Sequence, residues 1–256
     1  MTRPEFLYKY RKDDAHALDA LFASKAVFGG RKAFNDTFDS RVELTSPTIE
    51  ELKQIDFANR NSRNPATRGT PTFVDYQGIT RKGGLFLRTF YQNTDELIDS
   101  YRFYCLSANP MSTPMWAHYA AEHTGFCIEF KSESVGGDKV AYKDELPEIR
   151  LAEFLLDQRH QQFGIDIWEA LRTKHTDWSY EKEYRIQPSN EWKSRLVYIN
   201  ANNNSAEYQP EWLESIIFGK DMPDERRRFI VSNCKFPMKF KQVVKGRGVL
   251  EITDFR

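Results

Sequence analysis

Residues 101–130 read YRFYCLSANPMSTPMWAHYAAEHTGFCIEF, and this stretch decides the fold that we expect. Residues 103–106 and 126–130 are short apolar runs, which are typical of strands buried in a sheet. The segment between them predicts a loop and a short helix. A core needs only the two flanking strands, so the polar centre indicates a functional site. Five of its side chains can bind and orient a polar aromatic ligand: Ser107, Trp116, His118, Tyr119 and His123.

The composition is that of a globular protein without overall charge. The 256 residues are 40% hydrophobic and 29% charged, and the formal net charge is zero. A chain of this length forms one large domain or two small ones. Zero net charge gives no general argument for nucleic-acid binding, which must then depend on local patches. No apolar run approaches the length that crosses a membrane, so we expect no membrane partner.

The N-terminal residues and the cysteines predict a cytoplasmic protein. Arg3, Glu5 and Lys9 interrupt the apolar residues near the start, which does not match a signal peptide. An odd number of cysteines lies among apolar neighbours, which predicts free thiols in a reducing compartment rather than a disulfide framework. These cysteines are Cys105, Cys127 and Cys234.

The remaining pattern predicts both strands and helices. Residues 6–11 alternate as a strand, and Asp13 or Asp14 caps the helix that follows. Residues 147–174 repeat apolar side chains at helical spacing and form the longest expected helix, which Gly164 can interrupt. We therefore expect a single α+β domain over residues 1–256, with a mixed, curved and split β-sheet flanked by helices.

Residues 46–100 are predicted to form a helical and loop insertion with a basic loop. Ser46 and Pro47 indicate a helix start, residues 59–80 have the composition of a long loop, and residues 93–98 predict a short helix. The charges between 59 and 90 are mostly basic, as are those near the C-terminus. These cations are Arg60, Arg63, Arg68, Arg81, Lys82 and Arg88 in the insertion, and Lys235, Lys239, Lys241, Lys245 and Arg247 near the end. Such patches can contact phosphates, but a solvated surface has the same composition.

The familiar catalytic and metal motifs are missing from the sequence. His118 and His123 are five residues apart, which is not the spacing of a zinc-binding HExxH pair, and we predict no metal. There is no GxSxG, P-loop or GxGxxG pattern. Cys105 or Cys127 is formally available as a nucleophile. Both lie in apolar strands, where a thiol is usually inert.

A set of side chains from separate elements suggests one reaction class. Arg11 ends the first strand, His118 and Tyr119 lie on the short helix, and Glu181 and Glu183 precede a later strand. Strand alternation puts the two glutamates on one side if that strand has already begun. Cationic, aromatic and acidic groups together suit cleavage at an anomeric carbon, where a carboxylate stabilises an oxocarbenium-like transition state.

Six motifs follow one another over nearly the whole chain: LYKYR, FNDTFD, YCLS, MWAHYAAEHTGFCIEF, WSYEKEYRI and IIFGKDMPDERR. Their order resembles a prokaryotic family known as domain of unknown function 2971. The combination is specific, above all the fourth and fifth motifs. The family name confers no activity.

A first strand of the LYxY type is followed by a helix, a short strand, a strand that ends in Ser, and a final Glu before a strand. This order is similar, more weakly, to ADP-ribosyltransferases, and that resemblance implies an activity. In that superfamily a first-strand Arg or His contacts NAD, a Ser or Tyr shapes the nicotinamide site, and a Glu stabilises the oxocarbenium ion. Matched by position, these roles fall to Arg11 or Tyr10, to Ser107 or Tyr119, and to Glu183 with Glu181 in an E-x-E arrangement. The implied catalytic residues are Glu183, Glu181, Arg11, His118 and Tyr119. The implied NAD contacts are Tyr10, Arg11, Ser107, Asn35, Asp39, Trp116 and His123.

The sequence therefore leads to one leading hypothesis and two alternatives. The first is an ADP-ribosyltransferase-like enzyme that cleaves NAD and modifies a protein or nucleic acid, as a toxin or phage-defence effector would. The second is a nucleic-acid-binding or nuclease-like protein, and the third a non-catalytic ligand-binding protein. Structural interpretations also stay open. They are a solvated strand edge for Glu181 and Glu183 that pairs with Lys182 and Arg185, satisfied burial for His118 and Tyr119, core packing for Trp116 and Trp178, and an ion pair between Arg11 and Asp39.

Overall fold

The structure is a computed structural model that describes residues 3–34, 36, 38–63, 71–157, 160–188, 198–200, 204–236 and 238–255. The chain forms two compact units. The first comprises Met1–Gly29, Arg102–Tyr142 and Thr176–Arg256, and the second comprises Gly30–Tyr101 and Lys143–His175. The expected insertion over residues 46–100 lies in the second unit. The single-domain expectation stays a prediction.

Seventeen strands and eight helices are present in the described residues. The strands are Phe6–Arg11 (β1), Lys25–Val27 (β2), Glu43–Thr45 (β3), Val74–Asp75 (β4), Gly78–Ile79 (β5), Tyr104–Ser107 (β6), Phe126–Lys131 (β7), Asp138–Lys139 (β8), Ala141–Lys143 (β9), Glu148–Arg150 (β10), Thr173–His175 (β11), Glu183–Ile186 (β12), Tyr198–Asn200 (β13), Ser205–Glu207 (β14), Leu213–Phe218 (β15), Lys239–Lys245 (β16) and Leu250–Asp254 (β17). The helices are Ala15–Phe22 (α1), Ile49–Asn61 (α2), Arg81–Ser100 (α3), Thr113–Tyr119 (α4), Ser132–Val135 (α5), Leu151–Asp157 (α6), His160–Leu171 (α7) and Asp224–Asn233 (α8).

The first unit is built on an open eight-stranded sheet in the order β17-β16-β15-β7-β1-β6-β12-β8. Strands β15 and β16 run parallel, and their other neighbours pair antiparallel. The α+β class with a mixed sheet and flanking helices is therefore confirmed. A smaller sheet, β13-β14-β2, belongs to the same unit.

Strand alternation gives the large sheet two different faces. One face carries Leu7 of β1 and packs in a core cluster with α1 and α8, so we call it the α1 face. The other face carries Tyr8 and Tyr10 and packs against Met115 and Trp116 of α4, so we call it the α4 face. Each face is buried, which is why the strands read as continuous apolar runs.

The second unit is mainly helical. Helix α2 begins with a capping box in which Thr48 and Glu51 bond each other's backbone amides, so the helix starts two residues later than Ser46 and Pro47 predicted. The buried Asp56 carboxylate accepts hydrogen bonds from the amides of Phe73 and Val74 and holds the β4–β5 hairpin to α2. Strands β3 and β10 pair in parallel.

Two sequence predictions were wrong about element boundaries. The short helix over 93–98 is part of a 20-residue helix that includes Gly83 and Gly84 in its first turns. The expected long helix over 147–174 divides into β10, α6, α7 and β11, and α7 runs through Gly164 without a break. Lys239, Lys241 and Lys245 of the basic patch lie on the paired strand β16. No helix in the described part of the chain has the length and hydropathy to cross a membrane.

Candidate functional site

A row of polar side chains crosses the centre of the large sheet on the α4 face. Cross-strand register places them directly opposite one another on six adjacent strands. In sheet order they are Lys239, Ser215, Glu129, Tyr8, Ser107 and Glu183. All except the terminal Lys239 are buried. Burying polar groups costs free energy unless they are hydrogen-bonded, so the row must be tied into a network.

The first part of that network surrounds the Glu129 carboxylate. It accepts hydrogen bonds from the Tyr8 hydroxyl at 3.1 Å, from the Lys241 ammonium at 2.6 Å, and from the Ser215 hydroxyl. Burial and the neighbouring Glu129 charge raise the pKa of Tyr8, which keeps its hydroxyl protonated as a donor. The buried Glu129 carboxylate therefore has the hydrogen-bond partners that its burial requires.

The second part joins three of the predicted site residues. The Tyr119 hydroxyl donates to Oε1 of Glu181 at 2.7 Å, and the Ser107 hydroxyl donates to the Glu181 carbonyl oxygen at 2.5 Å. These residues come from α4, from the 3-10 helix Thr176–Glu181 and from the end of β6. Glu181 is 3% exposed and Tyr119 is half-buried, so their hydrogen bond links a buried carboxylate to the protein surface.

Glu181 reaches this position through the 3-10 helix and not through strand alternation. Strand β12 begins only at Glu183, and Lys182 between them has a left-handed φ of 45°. The carbonyl of Lys182 accepts a hydrogen bond from the Ala108 amide at 3.0 Å, which fixes the turn against the end of β6. The condition for strand alternation, a strand that has already begun at Glu181, is therefore not met, although both glutamates are buried.

Glu183 forms a buried ion pair with Arg185 two residues further along β12. The guanidinium Nε lies 2.8 Å from Oε1 and Nη2 lies 3.2 Å from Oε2. Arg185 has no exposed surface and also lies over the Phe103 ring at 5.6 Å. The interpretation of Glu181 and Glu183 as a solvated strand edge was wrong, since each is almost fully buried.

Arg11 lies on the α1 face, away from Ser107 and Glu183. It alternates with Leu7 along β1 and is paired in register with Phe126, and both of these residues belong to the core cluster of that face. The expected convergence of Arg11 with the glutamates therefore does not occur, because side chains one residue apart on a strand point to opposite faces. Tyr10 does lie on the α4 face, where its hydroxyl donates to the Asn109 carbonyl at 2.6 Å.

Trp116 and His123 pack together behind the site, and His118 does not join them. Trp116 is fully buried, and its indole donates to the Pro110 carbonyl at 2.8 Å, as core packing would require. The His123 ring stacks on Trp116 at 6.3 Å, and its buried Nδ1 has no hydrogen-bond partner among the described residues. His118 is exposed, with its ring 6.4 Å from that of Tyr119.

Two of the predicted NAD contacts remain, Asn35 and Asp39. Asn35 lies outside the described residues. Asp39 belongs to the second unit, where its carboxylate is buried, pairs with Lys174 at 3.1 Å and accepts a hydrogen bond from Ser40. Its role as a ligand contact stays a prediction.

Sequence reasoning missed the Glu129 cluster, whereas the pairing of Glu183 with Arg185 was among its alternatives. Glu129 is the only charged residue within the apolar run FCIEF, and a charge inside a buried strand demands partners. That feature could have identified Glu129. Tyr8, Ser215 and Lys241 carried no comparable feature, because their proximity depends on strand order and register.

The described residues show no group of three His, Cys, Asp or Glu side chains arranged as metal ligands. Two cations of the C-terminal basic patch are also engaged in ion pairs, Lys239 with Glu214 and Lys241 with Glu129. These pairs reduce the charge that this patch offers to phosphates.

The second unit contains a groove of about 410 Å³. Its walls include Phe154 and Phe163 together with charged side chains, and none of the predicted site residues lines it. The charged lining residues are Lys143, Glu148, Arg150, Glu153, Asp166 and Glu169.

Comparison with known proteins gives one family match. The model of a family described as "Protein of unknown function (DUF2971)" matches residues 115–186. The matched segment runs from α4 to the end of β12, so it includes Trp116, Tyr119, Glu129, Glu181 and Glu183. This supports the resemblance seen in the sequence motifs. No curated protein and no solved structure matches the chain.

Proposed function

We propose that this protein is an ADP-ribosyltransferase-like enzyme that cleaves NAD between nicotinamide and ribose. The observation that carries the proposal is the hydrogen bond between Tyr119 and Glu181 beside Ser107. The sequence predicted all three as site residues, and three separate elements bring them together. Meeting at one point from distant parts of the chain is what a catalytic assembly requires.

The chemistry of NAD cleavage fits a carboxylate held by a tyrosine. The nicotinamide of NAD is already cationic and leaves as a neutral ring, so no general acid is needed to protonate it. The remaining demand is to stabilise positive charge that develops on the ribose. In our proposal the Glu181 carboxylate supplies the negative charge that stabilises the ribose. Tyr119 orients this carboxylate, and its side chain contacts the substrate.

Glu183 acquires a different role from the one that the E-x-E pattern implied. Its carboxylate accepts hydrogen bonds from Nε and Nη2 of the Arg185 guanidinium, and this arrangement fixes the start of β12. In our proposal Glu183 is a positioning residue that holds the Glu181 turn in place. Arg11 has no part in the reaction, because it lies on the other face of the sheet.

Nicotinamide release from NAD tests the proposal. We expect Glu181→Gln to lower the rate by about 100-fold or more, since the amide cannot balance the developing charge. Glu129→Gln is the matched control, because it makes the same change to another buried carboxylate of the first unit. Equal rates for Glu181→Gln and the unaltered protein, or no release by the unaltered protein, would refute the proposal. Binding of NAD without turnover would favour the non-catalytic alternative.

The acceptor in this proposal is a protein or nucleic acid, and the biological role is that of a toxin or phage-defence effector. Labelled NAD added to a cell lysate should mark a macromolecule with the unaltered protein and not with Glu181→Gln. Protease and nuclease digestion of the labelled product then identifies the acceptor class.

A further inference from the structure

The groove of about 410 Å³ in the second unit has the size of a ligand site. Residues of β10, α6 and α7 form most of its walls, and every side chain that lines it belongs to this unit. Pockets that hold small molecules in proteins measure about 300–1,000 Å³. The groove therefore has room for a small organic ligand.

Part of the wall of this groove is aromatic. Phe163 is 9% exposed and Phe154 is half-buried, and their ring centroids lie 4.4 Å apart at an interplanar angle of 41°. The Phe90 ring of α3 stacks on Phe154 at 5.2 Å and supports it. Rings that are held in this way offer an apolar surface, and their faces attract positive charge.

The charged side chains of the groove are mostly acidic. Arg150 forms ion pairs with Glu153, at 3.4 Å, and with Glu51, which lies outside the described lining of the groove. Among the lining residues, Lys143 alone is then left to balance three further carboxylates. These are Glu148, Asp166 and Glu169. The groove therefore has an excess of negative charge.

Two of these carboxylates lie together on α7. Asp166 and Glu169 are three residues apart, which puts both on one side of the helix. Neither forms an ion pair within the part of the chain that the structure describes. Asp166 accepts a hydrogen bond from Nε2 of Gln162 at 2.8 Å, which orients its carboxylate without neutralising it. Because like charges on neighbouring helix positions repel, a cation bound between them would be stabilising.

We propose that this groove binds a small organic cation, a protonated amine with an apolar or aromatic body. The ammonium group donates charge-assisted hydrogen bonds to Asp166 and Glu169, and the body packs on Phe154 and Phe163. A metal ion would make no use of the aromatic wall. None of the predicted NAD contacts lines the groove, so this site does not depend on the proposed NAD cleavage.

Thermal unfolding with phenethylamine tests the site. This probe combines an ammonium group with an aromatic ring. Phenethyl alcohol has nearly the same shape without the charge, and methylamine has the charge without the ring. A ligand that binds only the folded state raises the melting temperature, and sodium chloride at matched ionic strength is the reference. We expect a saturable increase with phenethylamine and none with the other two compounds.

Three variants locate the binding. Asp166→Asn and Glu169→Gln should each weaken the binding of phenethylamine by about tenfold, because each removes one charge-assisted hydrogen bond. Glu96→Gln is the matched control. Glu96 also accepts a hydrogen bond from a glutamine four residues earlier, Nε2 of Gln92 at 3.0 Å, but it lies outside the described lining of the groove. Its response to phenethylamine should equal that of the unaltered protein.

Several results would overturn the proposal. An equal shift with phenethyl alcohol would show that the charge is not recognised, and an equal shift with methylamine would show the same for the ring. The proposal also fails if phenethylamine gives no more than the chloride reference. It fails as well if Asp166→Asn and Glu169→Gln keep the full response, or if Glu96→Gln loses as much of it as they do.

Discussion

At the scale of single residues, the three buried glutamates of the α4 face differ in what they bond. Glu129 is bonded by Lys241, Glu183 by Arg185, and Glu181 by the Tyr119 hydroxyl. Carboxylates neutralised by a buried cation hold strands in register. In our proposal Glu183 serves the architecture and Glu181 the chemistry.

Breaking the Glu183–Arg185 pair should therefore destabilise the first unit. We expect Glu183→Gln to lower the free energy of unfolding by about 3–5 kcal/mol, because a fully buried guanidinium loses its carboxylate. Urea denaturation measures this change. Glu214→Gln, which removes an exposed pair with Lys239, serves as the control and should have little effect. Similar midpoints for the two variants would contradict the role given to Glu183.

His123 should make the protein less stable in mild acid. Burial and the nearby Lys220 charge lower its pKa, and Asp221 opposes them only in part. As the pH falls below the ordinary histidine pKa of about 6.5, the unfolded chain takes up the proton before the folded protein does. The stabilising contribution of neutral His123 is thus present above this pH and lost below it.

The comparison that isolates this effect is between the unaltered protein and His123→Asn. Asparagine is chosen because residue 123 has a left-handed φ of 70°, which asparagine tolerates. Urea midpoints at pH 7 and pH 5 should differ less in His123→Asn than in the unaltered protein. An unchanged difference would show that His123 does not carry the acid sensitivity.

At the scale of elements, the turn between α4 and β7 positions the site by close backbone contact. Residues 121–123 all have left-handed φ angles, and the chain then passes next to β1 at Gly125. A Cβ atom at Gly125 would lie 2.1 Å from the Arg11 carbonyl oxygen, which no real contact permits. The turn is therefore held to the end of β1 by a position that only glycine can occupy.

Gly125→Ala should disrupt this junction. We expect a loss of about 3 kcal/mol in the free energy of unfolding, since the added methyl group forces backbone segments apart. Gly164→Ala is the control, because its Cβ would meet nothing within 4 Å and it lies inside α7. It should raise stability by about 0.5–1 kcal/mol. A neutral Gly125→Ala variant, measured by urea denaturation, would contradict the close approach.

Local sequence patterns predicted the elements that carry the site but not all of those elsewhere. Strands β1, β6 and β7 were predicted because each is a short apolar or alternating run beside turn residues. Helix α3 was mostly missed because Gly83 and Gly84 have low helix propensity, yet Gly83 packs against the Phe73 backbone, where a side chain would clash. At Gly83 the tertiary contact with Phe73 therefore outweighs the low helix propensity of glycine.

At the scale of the whole molecule, the polar row shows what a sequence cannot supply. Its six members come from six strands that are scattered between β1 and β16 along the chain. Their alignment depends on strand order and on register, and a shift of one residue would turn each side chain to the other face. Motif order could bring Ser107, Tyr119 and Glu181 into one hypothesis, but it could not show that Arg11 lies behind the sheet.

The most direct test of the account is a crystal structure with a non-cleavable NAD analogue. We predict that the nicotinamide-bearing ribose lies against Tyr119 and Glu181 on the α4 face, with the nicotinamide ring near His118. An analogue bound elsewhere, with no contact to the Tyr119–Glu181 pair, would contradict the account.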